Sequence, residues 1–198
     1  PRAIAAAVLA GVAVAATWSG ASTFAALVLA IAVVMSWEWS RIVRGASYDA
    51  ALLVHAVSTA AAVILAARGA APAGVLVSLI GAAGVLFLAP TERAGLSALG
   101  VVYTGLPAVA FVWLRGGDAF GVLAILFIFT IVWTTDTFAY LCGRLIGGPK
   151  LWPALSPGKT WSGTAGGVLF AALAGALFAG LLVRPNPLAL ALIAVLLS

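Results

Sequence analysis

Long apolar runs dominate this sequence, and short segments rich in Gly, Pro and Arg separate them. An apolar helix of about 20 residues spans the hydrocarbon core of a bilayer, where no water can satisfy exposed backbone groups. The runs therefore predict membrane-spanning helices, and no two-residue alternation competes with that interpretation. Eight candidate spans follow: Ala3–Trp18, Ser22–Trp39, Ala50–Ala67, Pro72–Ala89, Leu96–Leu114, Phe120–Leu141, Trp161–Val183 and Pro187–Ser198.

Composition supports a membrane protein. Hydrophobic residues make up 65% and charged residues 8% of the chain, whereas soluble domains carry about 25% charged residues. The net charge of +5 arises from only ten cations and five acids, too few for the basic surface of a nucleic-acid-binding protein. We expect an all-α polytopic membrane helix bundle with no nucleic-acid partner.

The expected organisation is a single membrane domain over residues 1–198. It comprises N-terminal helices at 1–141, a basic loop at 142–160 and C-terminal helices at 161–198. The last helices are expected to be incomplete, and both chain ends to be cut, because the chain starts at Pro1 and stops inside an apolar run.

The distribution of cations predicts the orientation in the membrane. If successive helices alternate in direction, three cations fall on one side, Arg68, Arg115 and Arg184. The other seven fall on the opposite side: Arg2, Arg41, Arg44, Arg93, Arg144, Lys150 and Lys159. Because Lys and Arg are enriched in cytoplasmic loops, the N-terminus and the basic loop are predicted to be cytoplasmic.

The polar stretch from Thr134 to Gly167 is the strongest functional signal. It contains both lysines of the chain, one arginine and one acid: Lys150, Lys159, Arg144 and Asp136. A carboxylate followed by a basic loop rich in Gly, Pro and Ser is suited to a metal-bound polyphosphate.

Asp136 lies near the end of an apolar helix, between the hydroxyls of Thr135 and Thr137. A carboxylate at this depth is costly, which makes it a candidate functional residue. Mg²⁺ takes one or two carboxylates together with substrate phosphates, so Asp136 is a candidate metal ligand. The alternative is a structural helix-end acid paired with Arg144.

The segment Leu155–Trp161 reads LSPGKTW and contains the GKT triplet of a P-loop. The earlier glycine of that motif is replaced by Pro153, and no strand is expected before it, so the P-loop interpretation fails. An anion could still be held by the Pro-Gly turn, by the start of the next helix, and by Lys159, Ser156 and Thr160. The alternative is a basic loop that touches lipid headgroups.

Other polar residues favour structural interpretations. His55 is the one histidine and Cys142 the one cysteine, which excludes a multi-histidine metal site and an intrachain disulfide. We expect both side chains to be packed against neighbouring helices. Glu38 is expected to pair with Arg41 or Arg44 on the helix surface, with a second carboxylate near the site as the alternative.

Two of the predicted helices contain residues that affect helix geometry and packing. The segment Tyr103–Pro107 is expected to break the fifth helix as a kink for packing. The helix after the basic loop carries a small residue at every fourth position, which permits close helix contact. Packing within the bundle is the first interpretation, and a homodimer interface the second, for Gly163, Gly167, Ala171, Gly175 and Ala179.

Several motifs resemble those of the phosphatidate cytidylyltransferase (CDP-diacylglycerol synthase) family. They are Asp136–Arg144 (DTFAYLCGR), Leu155–Trp161 (LSPGKTW) and the Gly166–Gly167 pair, with further similarity at Trp37–Trp39 and Tyr103–Pro107. The family's signature, with Lys-Asp, His-Gly-Gly and closing aspartates, is expected beyond Ser198, together with further metal ligands.

The resemblance implies transfer of CMP from CTP to phosphatidate with Mg²⁺, in a bacterial inner membrane. Asp136 would bind the metal, and Lys159, Ser156 and Thr160 would hold a phosphate chain. Arg144 and Lys150 would bind the triphosphate or the lipid phosphate, with Tyr140 and Thr137 completing the substrate site. The apolar helices would accommodate the acyl chains.

Two alternative functions fit the same residues. One is a CTP-dependent polyprenol or phytol kinase, which would also combine apolar helices with basic loops. The other is a transporter with Asp136 as an ion site and the broken fifth helix as a gate. A transporter should place polar residues at mid-membrane in paired segments, whereas here they gather at one face.

Overall fold

The computed structural model describes residues 2–45, 48–183 and 193–197. A 3-10 turn at Thr91–Arg93 precedes the fifth helix, and a π-helical turn at Ala179–Val183 extends the seventh. The remaining elements, in chain order, are α1 (Arg2–Ser19), α2 (Ala21–Arg44), α3 (Ala50–Ala67), α4 (Ala71–Leu88), α5 (Ala94–Arg115), α6 (Ala119–Leu145), β1 (Lys150–Trp152), β2 (Ser156–Thr160) and α7 (Trp161–Phe178).

Within the described residues, the six helices α2 to α7 are long and apolar enough to cross a membrane. The prediction of an all-α polytopic bundle is confirmed, but the count of eight spans is not. The apolar part of α1, Ile4–Ser19, is shorter than these six. Most of the predicted last span, Pro187–Ser198, lies outside the described residues.

The chain divides into two compact units, Pro1–Val122 and Leu123–Ser198. The single membrane domain predicted for residues 1–198 stays a prediction. In the first unit, helices α2 to α5 pack closely together around small side chains. Its two apolar clusters consist of Ala and Val, including the fully buried Ala62, Val85 and Val101. Small residues suit such a bundle because they let helix backbones approach in a lipid environment.

His55 is fully buried in the first unit and joins α3 to α5. Its Nε2 lies 2.8 Å from the Thr104 hydroxyl, which donates its own proton to the Gly100 carbonyl at 2.9 Å. Because that proton is used, Nε2 of His55 must be the donor in the first bond. The expected packed histidine is confirmed.

Among the described residues, Arg44 pairs with Asp49 at the start of α3, and no ion pair joins Glu38 to Arg41 or Arg44 as predicted. Nε and Nη2 of Arg44 each bond one carboxylate oxygen of Asp49 at 2.8 Å. Asp49 also caps α3, since it accepts from the backbone N–H of Leu52 at 2.6 Å. Arg41 instead lies over the indole of Trp37, 4.7 Å from its centroid.

Helix α5 runs without interruption through Pro107, so the predicted break at Tyr103–Pro107 is not observed. Proline removes one N–H from the helix ladder, and neighbouring helices in a membrane bundle can tolerate that loss. Gly105, two residues earlier, packs closely on α4, where an added Cβ would lie 2.7 Å from the Ser78 hydroxyl.

In the second unit, α6 and α7 pack through the small residues of α7. Gly163, Gly167, Ala171 and Gly175 are buried, and a Cβ on Gly163 would lie 2.7 Å from the Ala139 carbonyl. The aromatic rings of Phe138 and Phe170 stack beside this contact. Packing within the bundle is therefore confirmed for this face, and these contacts give no support to a homodimer interface through it.

The segment 142–160 was predicted to be a loop, but it contains the end of α6 and two strands. Helix α6 continues to Leu145, and Gly147 and Gly148 then reverse the chain with φ of 67° and 103°, a region that favours glycine. Strands β1 and β2 follow as an antiparallel hairpin, with Lys150 opposite Thr160 and Trp152 opposite Ser156. Cys142 sits on the last turns of α6, half-buried against Gly166.

The hairpin contains a bulge in β2. Between the two paired positions, β1 contains one residue, Leu151, whereas β2 contains three, Pro157, Gly158 and Lys159. Bulges bend a strand and redirect a side chain, and they are common beside active sites. The bulge thus determines where Lys159 lies.

Candidate active site

A cavity of about 700 Å³ lies within the second unit, between α6, the hairpin and α7. Its residues come from one face of α6, from both strands and from the first two turns of α7. They are Thr135, Asp136, Ala139, Tyr140, Gly143, Arg144, Leu151, Gly158, Lys159, Thr160, Gly163, Thr164, Gly167 and Val168.

Helix α6 contributes three polar side chains at four-residue spacing, Asp136, Tyr140 and Arg144, which therefore lie on one helix face. Nη1 of Arg144 donates to the Tyr140 hydroxyl at 2.6 Å, and its guanidinium carbon is 5.9 Å from the ring centroid. The alternative pairing of Arg144 with Asp136 is not found. In the part of the chain that the structure describes, Asp136 has no ion pair.

The hairpin contributes Lys159 from the bulge, and the opposing Leu151 reaches the same cavity. Lys159 is exposed. Together with Arg144 it gives the wall two cations against the single carboxylate of Asp136. An excess of positive charge in a concave site attracts an anionic ligand.

Thr160 connects the hairpin to α7. Its hydroxyl accepts from the Gly163 N–H at 3.1 Å and so caps the helix. Ser162 donates its proton to the Gly147 carbonyl, so the contact of 3.1 Å between the two hydroxyls must use the proton of Thr160. Thr160 is thus engaged as donor and acceptor, and it places the partly positive N-terminus of α7 next to Lys159.

Five of the eight predicted site residues lie on the cavity wall: Asp136, Tyr140, Arg144, Lys159 and Thr160. Thr137, Lys150 and Ser156 are not among the wall residues, and their roles stay predictions.

The sequence analysis did not name three other residues of the cavity wall, Leu151, Thr164 and Val168. Thr164 could have been found because it lies four residues after Thr160 on a helix, whereas Leu151 depends on the unpredicted strand.

The described residues of the cavity supply one ligand for Mg²⁺, not a complete set. No group of three or more His, Cys, Asp or Glu side chains occurs among the described residues, and Asp136 is the one acid on the cavity wall. Mg²⁺ can bind through one or two carboxylates when substrate phosphates and water supply the other oxygens. Asp136 fits that pattern.

Fold and cavity together define a multi-pass membrane protein with a cationic cavity that contains a carboxylate and is built between two apolar helices. The model of the cytidylyltransferase family matches residues 1–198. The phosphatidate cytidylyltransferase of Brucella abortus (strain 2308) is 36% identical over 185 residues, which are 92% of this chain and 68% of the relative. This chain belongs to the cytidylyltransferase family and is a multi-pass protein of the inner membrane.

Shorter matches involve two more phosphatidate cytidylyltransferases. That of Bacillus subtilis (strain 168) is 34% identical over 87 residues, 44% of this chain and 32% of the relative. That of Staphylococcus epidermidis (strain ATCC 12228) is 46% identical over 71 residues, 36% of this chain and 26% of the relative. Nothing in these comparisons favours a lipid kinase or a transporter.

Proposed function

We propose that this protein transfers CMP from CTP to phosphatidate, with CDP-diacylglycerol and pyrophosphate as products for phospholipid synthesis. The observation that carries the proposal is the cavity that brings Asp136, Arg144 and Lys159 together in a member of the cytidylyltransferase family. Its charges suit a polyanionic nucleotide, and the apolar helices beside it suit the acyl chains of a lipid acceptor.

The reaction is a displacement at the α-phosphorus of CTP. An oxygen of the phosphatidate phosphate forms the new bond to phosphorus, the bond to the bridging oxygen breaks, and pyrophosphate leaves with both electrons. A phosphate monoester has a second pKa of about 6 and is mostly dianionic at neutral pH, so no strong general base is required. The protein's contribution is positioning and charge neutralisation.

Each charged residue of the wall has a role in this reaction. Asp136 would hold Mg²⁺, which when bound neutralises charge on the phosphate oxygens. Arg144, oriented by its hydrogen bond to Tyr140, binds non-bridging phosphate oxygens. Lys159 and the N-terminus of α7 stabilise the negative charge that grows on the departing pyrophosphate.

Incorporation of labelled CTP into lipid tests the proposal in the full chain. Asp136→Asn and Lys159→Gln should each lower the rate by at least about 100-fold, the loss typical of removing one electrostatic contact to a transition state. Asp118→Asn and Arg93→Gln are matched controls outside the cavity and should retain the rate. Full activity in both cavity variants would refute the site, and CTP consumption without a lipid product would refute the reaction.

A further inference from the structure

Several exposed side chains of the hairpin have no part in the cavity. Trp152 is 62% exposed and Leu155 is 79% exposed, and Lys150 is exposed beside them. The hairpin connects the ends of α6 and α7, two helices long and apolar enough to span the membrane. This hairpin is therefore expected at the boundary between hydrocarbon and water.

Strand β1 has two different faces. Side chains two residues apart in a strand point to the same side, and their neighbours point to the other. The bulge lies in β2, so this alternation holds in β1. Leu151 reaches the cavity wall, which leaves Lys150 and Trp152 on the opposite side. Leu155 lies in the turn that follows, exposed and off the cavity wall, and we call Lys150, Trp152 and Leu155 the outer face of the hairpin.

Hydrogen bonds at the base and at the turn of the hairpin fix the backbone that carries the outer face. At the base of the hairpin, the Trp161 N–H donates to the Pro149 carbonyl at 3.1 Å, and Ser162 bonds the Gly147 carbonyl. At the turn, the Leu155 N–H donates to the Trp152 carbonyl at 3.2 Å. A large aromatic ring, an aliphatic side chain and a cation are thus exposed on a hairpin whose backbone is fixed by hydrogen bonds.

We propose that this outer face docks on the headgroup layer of the bilayer through anionic phospholipid, separately from the substrate phosphate in the cavity. Trp is favoured at membrane interfaces because its ring is apolar and its N–H is polar. A cation near an anionic headgroup is attracted to it. The charge of this region favours an anionic partner, since residues 137–198 contain cations and no acid.

The docking has a consequence for the cavity. Leu151 belongs to the same short strand as Lys150 and Trp152, and the bulge with Lys159 lies opposite Leu151. Lipid bound on the outer face would therefore hold the hairpin wall of the cavity in place. This role concerns bulk lipid and does not depend on the proposed reaction.

An environment-sensitive fluorophore in the hairpin turn tests the proposal. The full chain carries Ala154→Cys in a Cys142→Ser background, labelled with a nitrobenzoxadiazole dye, in nanodiscs of phosphatidylcholine with or without phosphatidylglycerol. We expect a blue shift of the emission that is larger with phosphatidylglycerol and that shrinks at high salt. Lys150→Gln should remove most of the phosphatidylglycerol-dependent part, and Lys150→Arg should retain it.

Two comparisons make the test decisive. Trp152→Ser should reduce the blue shift in both lipid mixtures, because it removes the apolar anchor. The same dye on Gly117→Cys, in the connection between α5 and α6, should not respond to Lys150→Gln. An equal emission in both lipids, or an unchanged response in Lys150→Gln, would overturn the proposal and leave the face open to a protein partner.

Discussion

At the scale of single residues, Asp49 shows how one carboxylate can join two helices. It accepts the Leu52 N–H at the start of α3 and both bonds from Arg44 at the end of α2. The Arg44 side chain is only 2% exposed, whereas that of Asp49 is 29% exposed. The hydrogen bond from Arg44 is the main cause that lowers the pKa of Asp49, helped by the Leu52 N–H and opposed by burial.

Asp49→Asn should destabilise the fold at neutral pH by about 1–3 kcal/mol, because the cap is kept but the charged bonds to Arg44 are lost. A lowered pKa means that the stabilisation is present above the unfolded pKa and is lost as pH falls through the folded pKa. Thermal unfolding in detergent should therefore show a difference in melting temperature between wild type and variant at neutral pH, and this difference should disappear in acid.

Asp118→Asn is the matched control for this prediction. Asp118 accepts the Gly121 N–H at 2.8 Å near the start of α6, and it has no ion pair among the described residues. Asparagine can accept the same bond, so the change in stability should be small and nearly independent of pH. A gap at Asp49 that stays constant down to acidic pH would contradict the role of the ion pair.

At the scale of elements, the helices could be predicted because apolar length and turn residues are local signals. Helix α3 begins and ends where predicted, at Ala50 and Ala67. Whether Pro107 interrupts α5 could not be predicted from the neighbouring sequence, because the surrounding helices determine whether the helix tolerates a proline. The hairpin was missed because strands of three and five residues, one of them with Pro-Gly and a bulge, show no two-residue alternation.

The candidate site was predictable along α6 but not across elements. Four-residue spacing on a helix places Asp136, Tyr140 and Arg144 on one face, and this follows from the sequence. Their proximity to Lys159 depends on how closely α6 approaches α7. That approach relies on Gly143 and Gly163, whose Cα atoms come so near that a Cβ on Gly163 would lie 3.3 Å from Gly143.

Gly163→Ala tests the close approach of the two helices. Its methyl group would lie 2.7 Å from the Ala139 carbonyl, so the backbones must separate, at a cost of about 1–3 kcal/mol. Reaction of Cys142, half-buried on α6, with a thiol-specific dye during heating would report the loss.

Gly180→Ala is the control for this change, because nothing lies within 4 Å of an added Cβ there. Alanine favours helix over glycine, so its stability should be equal or slightly higher. A Gly163→Ala protein as stable as Gly180→Ala would show that α6 and α7 do not need this contact.

At the scale of the whole molecule, the cations favour one orientation in the membrane. Arg41, Arg44, Arg93 and the three cations of 144–159 fall on the same side whether or not the short helix α1 crosses the bilayer, since only Arg2 then changes side. Lys and Arg near helix ends set orientation because they are retained in the cytoplasm. A cytoplasmic hairpin would also place the cavity where nucleotides are available.

Membrane-impermeant maleimide labelling tests this orientation, with single cysteines in a Cys142→Ser background. Ala154→Cys in the hairpin turn should react only after the membrane is permeabilised, whereas Gly117→Cys, in the connection between α5 and α6, should react in intact spheroplasts. Both positions are exposed on the protein surface, so the comparison of intact with permeabilised membranes reports sidedness. Labelling of Ala154→Cys from outside would place the hairpin and its cations in the periplasm, where the cavity would have no access to CTP.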